Sequence, residues 1–136
     1  PTRARVTWWG RPAHPRTVVG PLEGGAAQGI GQARCESFVS DRESGHALSA
    51  SFLDYALPHA AMIEQFEMTM DESTPCLNNA MGVKGVGELG TIGATPAVVN
   101  AVIDALKRGA TSDAGERADA MQMPLTSERV WRAIRG

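Results

Sequence analysis

The stretch from Gly82 to Gly109 constrains the fold more than any other part of this chain, because its pattern changes abruptly at Pro96. Up to that proline it reads GVKGVGELGTIGAT, a run of glycines with no apolar period. Beyond it, Val99, Val102, Ile103 and Leu106 fall at i, i+3, i+4 and i+7, the stripe of an amphipathic helix. Thr95 can cap that helix with Pro96 behind it, and Lys107, Arg108 and Gly109 close it. One apolar face implies another layer to bury it.

Candidate partners lie upstream. Leu22, Ala26 and Ile30 recur every four residues with Ala33 three further on, which predicts a helix from Pro21 to about Glu36. Gly24, Gly25, Gly29 and Gly31 each weaken such a helix by about 1 kcal/mol relative to Ala. Close packing against another backbone or approach to a ligand would account for them. The residues ESFVSDRESGHALSASFLDY read as a β-hairpin around a Ser-Gly turn, with Phe38 on one arm and Leu48 and Phe52 on the other. IEQFEMTMD reads as a further strand in which Phe66, Met68 and Met70 form a core face. A polar connector, ATSDAGERADAMQM, leads to a short final helix with Val130, Trp131 and Ile134 on one side. Residues 1–17 show neither period and stay unassigned. The sum is an α+β fold occupying 18–136.

Composition narrows the function. A length of 136 residues suits one modest domain, and a net charge of −2 leaves no broad basic face for nucleic acid. No run of roughly 20 apolar residues is evident and no secretion signal opens the chain, so a cytoplasmic protein without a membrane segment is expected. Cys35 and Cys76, like His14, His46 and His59, stand apart from one another, so no protein residue is assigned as a metal ligand. A metal would have to arrive already bound to something else.

Gly85-Val86-Gly87-Glu88-Leu89-Gly90 satisfies G-x-G-x-x-G, but a dinucleotide fingerprint also needs a strand before the first glycine and a helix opening at the third. The lead-in STPCLNNAMGVK has no β-branched run, the helix is expected only near Pro96, and Asp104, the acid at ribose distance, falls in mid-helix. A phosphate-cradling loop fails for want of Gly-Lys-Ser/Thr. What remains is a single carboxylate, Glu88, among small residues. Such neighbours let a backbone approach a large ligand, and an acid withdrawn from water there would suit a general base. A solvated glutamate in a flexible connection is the plain alternative.

The segment GVKGVGELGTIGATPAVVNAVIDAL resembles one near the C-terminus of the molybdenum-cofactor-binding subunit of the xanthine dehydrogenase and aldehyde oxidase family, which includes aerobic carbon monoxide dehydrogenases. GGAAQGIGQA resembles the family's glycine-rich helix, SFLDYALP the segment after its hairpin, and MPLTSERVWRAI its terminal helix. The resemblance implies a fragment of the molybdenum-cofactor-binding domain, built of glycine-rich helix, hairpin and strand, glycine loop, amphipathic helix and terminal helix. It implies that Glu88 is the base taking a proton from the oxygen that hydroxylates an N-heterocycle or aldehyde. Lys84, Gly85, Val86 and Gly87 match the stretch along the pterin, and Gln28 the glutamine approaching the metal centre; a buried amide bonded to backbone is the alternative for Gln28.

The implied cofactor is molybdenum-molybdopterin, as the cytosine dinucleotide in a bacterial enzyme. Iron-sulfur clusters and FAD would sit on partner subunits, together with the remainder of the catalytic subunit. The chain departs from the family where an Asp-Cys-Gly-type segment and Asn-Pro are usual: it has Trp8-Trp9-Gly10 and His14-Pro15. The family subunit is several times longer, so the segment is incomplete alone. A non-catalytic remnant or interaction module of the same fold is the other reading.

Overall fold

The computed structural model describes residues 3–63, 65–109 and 112–136, with backbone only for 3–9 and 112. Glu64, within the expected third strand, and Ala110 and Thr111, within the expected connector, lie outside the described residues. The elements are β1 (Arg3–Trp9), α1 (Pro15–Arg34), a 3-10 turn (Ala60–Met62), β2 (Gln65–Asp71), α2 (Leu89–Gly109), α3 (Ser112–Asp119) and α4 (Ser127–Arg135). They fall into two compact units, Pro1–Gly29 with His59–Ala94 and Ile30–Pro58 with Thr95–Gly136.

In the first unit β1 and β2 pair in parallel, from Arg3 opposite Gln65 to Trp9 opposite Asp71, and the Gly10 amide extends the ladder by donating to the Asp71 carbonyl at 2.7 Å. β1 was not expected, although Ala4, Val6 and Trp8 alternate with Arg3, Arg5 and Thr7; its Arg and Trp content obscured a period of two. β2 was expected, and it alternates half-buried Phe66, Met68 and Met70 with exposed Gln65, Glu67 and Thr69. Met68 and Met70 pack on Val18 and Leu22 of α1, as a core face should.

α1 starts six residues earlier than Pro21, at Pro15, and keeps Pro21 inside. Pro15 suits a first helical position just as well, and buried Val18 extends the four-residue repeat backward. α2 likewise starts at Leu89 and runs through Pro96, so the expected start at Pro96 is corrected. A proline in a helix removes one backbone donor without necessarily ending it, provided packing holds both flanks. Joined across Pro96, α2 has 21 residues, and its most apolar 18-residue stretch has a mean hydropathy of 1.4, long and apolar enough by those measures alone to cross a membrane. The expectation that no such run exists is corrected accordingly.

In the second unit, Leu106, Ala118 and Ala133 form a core, with Val102, Ile103, Met121 and Val130 against it. α3 was read as connector. Its helical face consists of Ala114 and Ala118, both fully buried, and alanine carries little weight in an apolar period. Thr126 caps α4 by accepting from the Arg129 amide at 3.3 Å, and the Leu125 amide donates to the Ala33 carbonyl at 2.6 Å. Of the expected α4 face, Val130 is half-buried while Trp131 and Ile134 are exposed.

The expected hairpin is only one antiparallel bridge, Ser40 to Ala47, closed by a turn in which Asp41 accepts from the Ser44 amide and hydroxyl. Phe38, Leu48 and Phe52 are exposed because no second layer covers that segment among the described residues. After it, Tyr55 donates through its hydroxyl to Glu36 at 2.8 Å. That bond, and secondarily lost hydration, holds the phenol above the usual tyrosine range. The raised value means folding favours the protonated phenol. This contribution to stability is therefore present below the unfolded tyrosine pKa and lost as pH rises through the folded one. Tyr55 is the only tyrosine in the sequence, so an ultraviolet titration follows it alone. Its midpoint is expected above that of a free tyrosine and should return to it in Glu36→Gln; an unchanged midpoint in the variant would remove Glu36 as the cause.

Candidate functional site

The site is built in the first unit where the start of α2 meets α1. Gly90 sits so close to α1 that an added Cβ would lie 2.5 Å from the Leu22 carbonyl oxygen and 2.7 Å from the Ala26 nitrogen. Gly25 answers it on α1, where a Cβ would come within 3.1 Å of the Thr91 nitrogen and 3.2 Å of the Gly90 Cα. The Thr91 hydroxyl donates to the Gly25 carbonyl at 3.0 Å across the same contact. For these two positions, backbone packing is the reason for glycine.

Gly85 and Gly87 differ. A Cβ at either would meet nothing within 4 Å, and neither has a positive φ. Neither local conformation nor any described neighbour calls for glycine there, so the missing side chains leave room for something outside the described residues. Between them Val86 turns inward and packs against Val18 and Leu22. It pins the loop two residues before Glu88, and only its backbone remains to face a ligand.

Upstream, Asn79 holds the loop in shape through its side-chain amide, which donates to the Val83 carbonyl at 3.0 Å and accepts from the Val83 amide at 3.1 Å. Gly82 makes the bend with φ +68°, donating to the Asn79 carbonyl at 3.1 Å, and the Cys76 amide closes on the Gly82 carbonyl at 3.0 Å. Sequence reasoning used the lead-in STPCLNNAMGVK, which contains Asn79 and Gly82, only to argue against a strand. Asn followed three residues later by Gly was the signal that this loop is an organised turn.

Glu88 immediately precedes α2, and its carbonyl accepts from the Ile92 amide at 3.0 Å. Its side chain is exposed among the described residues, not withdrawn from water as an acid in a closed site would be. Lys84, four residues before it, is exposed as well. Gln28, three residues along α1 from Gly25, is exposed and makes no hydrogen bond to any described residue, so the buried-amide reading of it is corrected. Along the chain, Gln28 on α1 and Glu88 just before α2 thus stand three and two residues from Gly25 and Gly90, the glycines of that contact.

The dinucleotide reading loses one of its objections and keeps the others. A helix does begin next to Gly90, at Leu89, but residues 72–88 contain no strand, only a single bridge from Val83 to Arg11. Asp104 is paired with Arg108 at 2.9 Å. Cys35 and Cys76 are free thiols, burial pushing the first one up, and no cluster of metal-ligating side chains occurs among the described residues.

The profile of the molybdopterin cofactor-binding domain matches residues 6–64. The gamma subunit of the 6-hydroxypseudooxynicotine dehydrogenase complex of Paenarthrobacter nicotinovorans is 34% identical over 127 residues, covering 93% of this chain and 15% of that protein. The nicotine 6-hydroxylase large subunit of the same organism is 39% identical over 123 residues, 90% of this chain and 14% of the relative. In three dimensions, a crystal structure of the Cu,Mo-CO dehydrogenase in its carbon monoxide reduced state matches with a TM-score of 0.79 and 31% identity, over 96% of this chain and 15% of that one.

The chain belongs to this molybdopterin-binding family. It spans about 15% of the length of the relatives it matches. The profile match starts at Val6, so the family likeness takes in β1 as well as the residues from Val18 onward. The molybdopterin-binding residues expected from sequence are compatible with such a group: Gln28 and Lys84 are exposed, and Gly85 and Gly87 open to their surroundings on the loop that carries Glu88.

Proposed function

We propose that this chain forms the part of a molybdopterin-dependent hydroxylase that bears the general base, Glu88. One observation carries the reading. Gly85 and Gly87, which precede Glu88, face open space, whereas Gly90, two residues beyond it, is packed tightly on α1. The loop is thus anchored at one end and cleared of side chains at the other, which suits a large flat group lying along Lys84–Gly87.

When bound, a molybdopterin supplies the two-electron oxidation that places a water-derived oxygen on an N-heterocycle or aldehyde. Glu88 takes the proton from the attacking oxygen, which requires an ionised carboxylate within about 2.6–3.2 Å of it. Lys84, exposed on the same loop, adds a positive charge to the stretch along which the group would lie. Gln28 offers one acceptor and two donors from the α1 side. Val86, seated in the core, keeps the loop from drifting, and positioning of this kind matters to a proton transfer.

The likeness to a subunit of a dehydrogenase complex and to a hydroxylase large subunit supports partners that bear iron-sulfur clusters and FAD, along with the rest of the catalytic subunit. The cytosine dinucleotide form of the cofactor belongs to the same proposal. The apolar surface of α2 is read as packing surface within that larger subunit.

Purifying the chain with its partners and measuring molybdenum and pterin tests the proposal. Both are expected in the complex in near-equal amounts, with cytidine monophosphate released on hydrolysis. A complex that assembles free of metal and pterin would leave the remnant reading in its place.

A further inference from the structure

The segment after the hairpin is a built projection. The Ser51 hydroxyl donates to Asp54 Oδ2 at 2.6 Å and accepts from the Leu53 amide at 3.2 Å, while the Asp54 and Tyr55 amides donate to the Ser51 carbonyl at 3.1 and 2.8 Å. Its far side is tied down by the Tyr55 bond to Glu36 and by Pro58, whose ring carbons lie 2.7 Å from where a Cβ on Gly31 would be. At the tip, Phe52 is 89% exposed and Leu53 98% exposed. Adjacent large apolar side chains held outward by a closed set of hydrogen bonds lose little conformational freedom on docking. Asp54, the acid beside them, is already engaged by Ser51.

We propose that the Ser51–Tyr55 turn is a docking knob whose Phe52 and Leu53 enter an apolar pocket on the remainder of the molybdopterin-binding subunit. The occupant follows from the extent of the likeness. Residues 6–64, which include the knob, match the cofactor-binding domain, yet the whole chain spans about 15% of a relative's length. The relatives that share this likeness thus have most of their length outside the matched part, and adjacent exposed apolar side chains on a hydrogen-bonded turn are a surface for it to cover. The inference rests on the chain being part of a larger cofactor-binding subunit and not on the role of Glu88.

The test uses a tagged 136-residue chain expressed in its native host, with captured polypeptides identified by peptide sequencing. Phe52→Ser with Leu53→Ser is expected to keep the thermal midpoint of the unchanged chain and to recover roughly tenfold less of the molybdopterin-binding polypeptide, the loss typical of removing a buried apolar anchor. Undiminished recovery, or no such polypeptide captured by the unchanged chain, overturns the proposal. Loss of self-association by the variant, with recovery of the partner unaltered, assigns the knob to a second copy and overturns it too. Should the midpoint fall, radical footprinting of the unchanged complex decides: Phe52 and Leu53 are expected to be protected relative to the free chain, and equal modification overturns the docking. Molybdenum-dependent turnover lost in a Glu88 variant with capture intact would separate a fault in the base from a fault in the knob.

Discussion

Glu88→Gln in the assembled enzyme is expected to lower turnover by roughly 10²–10⁴-fold while molybdenum and pterin content stay at the unchanged level. The substitution keeps the size and polarity of the side chain and removes its ability to accept a proton. Glu88 is exposed and its side chain is used by no described contact, so the folded chain has nothing to lose from the change. An interaction made only as the proton moves should reduce kcat and kcat/KM together and leave KM near its original value. Gln28→Ala acts from the other helix and is a positioning change, for which a smaller loss is expected. Unaltered turnover in Glu88→Gln would refute the assignment of the base.

Gly90→Ala should have the opposite character, costing stability before chemistry. The new methyl would lie 2.5 Å from the Leu22 carbonyl oxygen and 2.7 Å from the Ala26 nitrogen, both backbone atoms of α1 that cannot swing aside. Forcing atoms into such a contact costs about 1–3 kcal/mol, or roughly 5–10 °C in the thermal midpoint of a domain of this size. Gly87→Ala adds the same methyl where nothing lies within 4 Å, and its midpoint is expected to move by less than about 0.5 kcal/mol equivalent. Cofactor content of the assembled enzyme should fall in Gly87→Ala if the pterin lies along Lys84–Gly87 as proposed, because the methyl would then enter its space. The two glycines thus fail differently. Equal loss of stability at both positions would mean that the open face beside Glu88 is structural after all.

The places where sequence and structure part company share physical causes. Pro21 and Pro96 were both taken as helix starts, since proline suits a first turn, yet each lies inside its helix where packing on either side outweighs one missing hydrogen bond. α3 escaped notice because its buried face is alanine, and β1 because arginine and tryptophan disguised an alternation. The hairpin was legible as a reversal of the chain and illegible as a sheet: Phe38, Leu48 and Phe52 carry a core pattern, but no layer among the described residues covers them. β2, by contrast, was plain, because the face that Met68 and Met70 present meets Val18 and Leu22 within the chain itself.

The candidate site was half legible for the same reason. The residue types around Glu88 marked a small-residue loop beside a carboxylate, and the likeness of that loop to a known family pointed to its chemistry. Which glycines pack and which stand clear could not be read from spacing, since Gly85, Gly87 and Gly90 look alike in a string. Only the approach of α1 separates them. The inward turn of Val86 and the clasp made by Asn79 depend on the same tertiary arrangement.

The most direct measurement is a crystal structure of the assembled, cofactor-loaded enzyme, with molybdenum located by its anomalous scattering. The account requires the Glu88 carboxylate to lie within hydrogen-bond reach, about 2.6–3.2 Å, of the oxygen to be transferred, with the pterin along Lys84–Gly87. A molybdenum centre seated elsewhere, with Glu88 still facing bulk water, would contradict it.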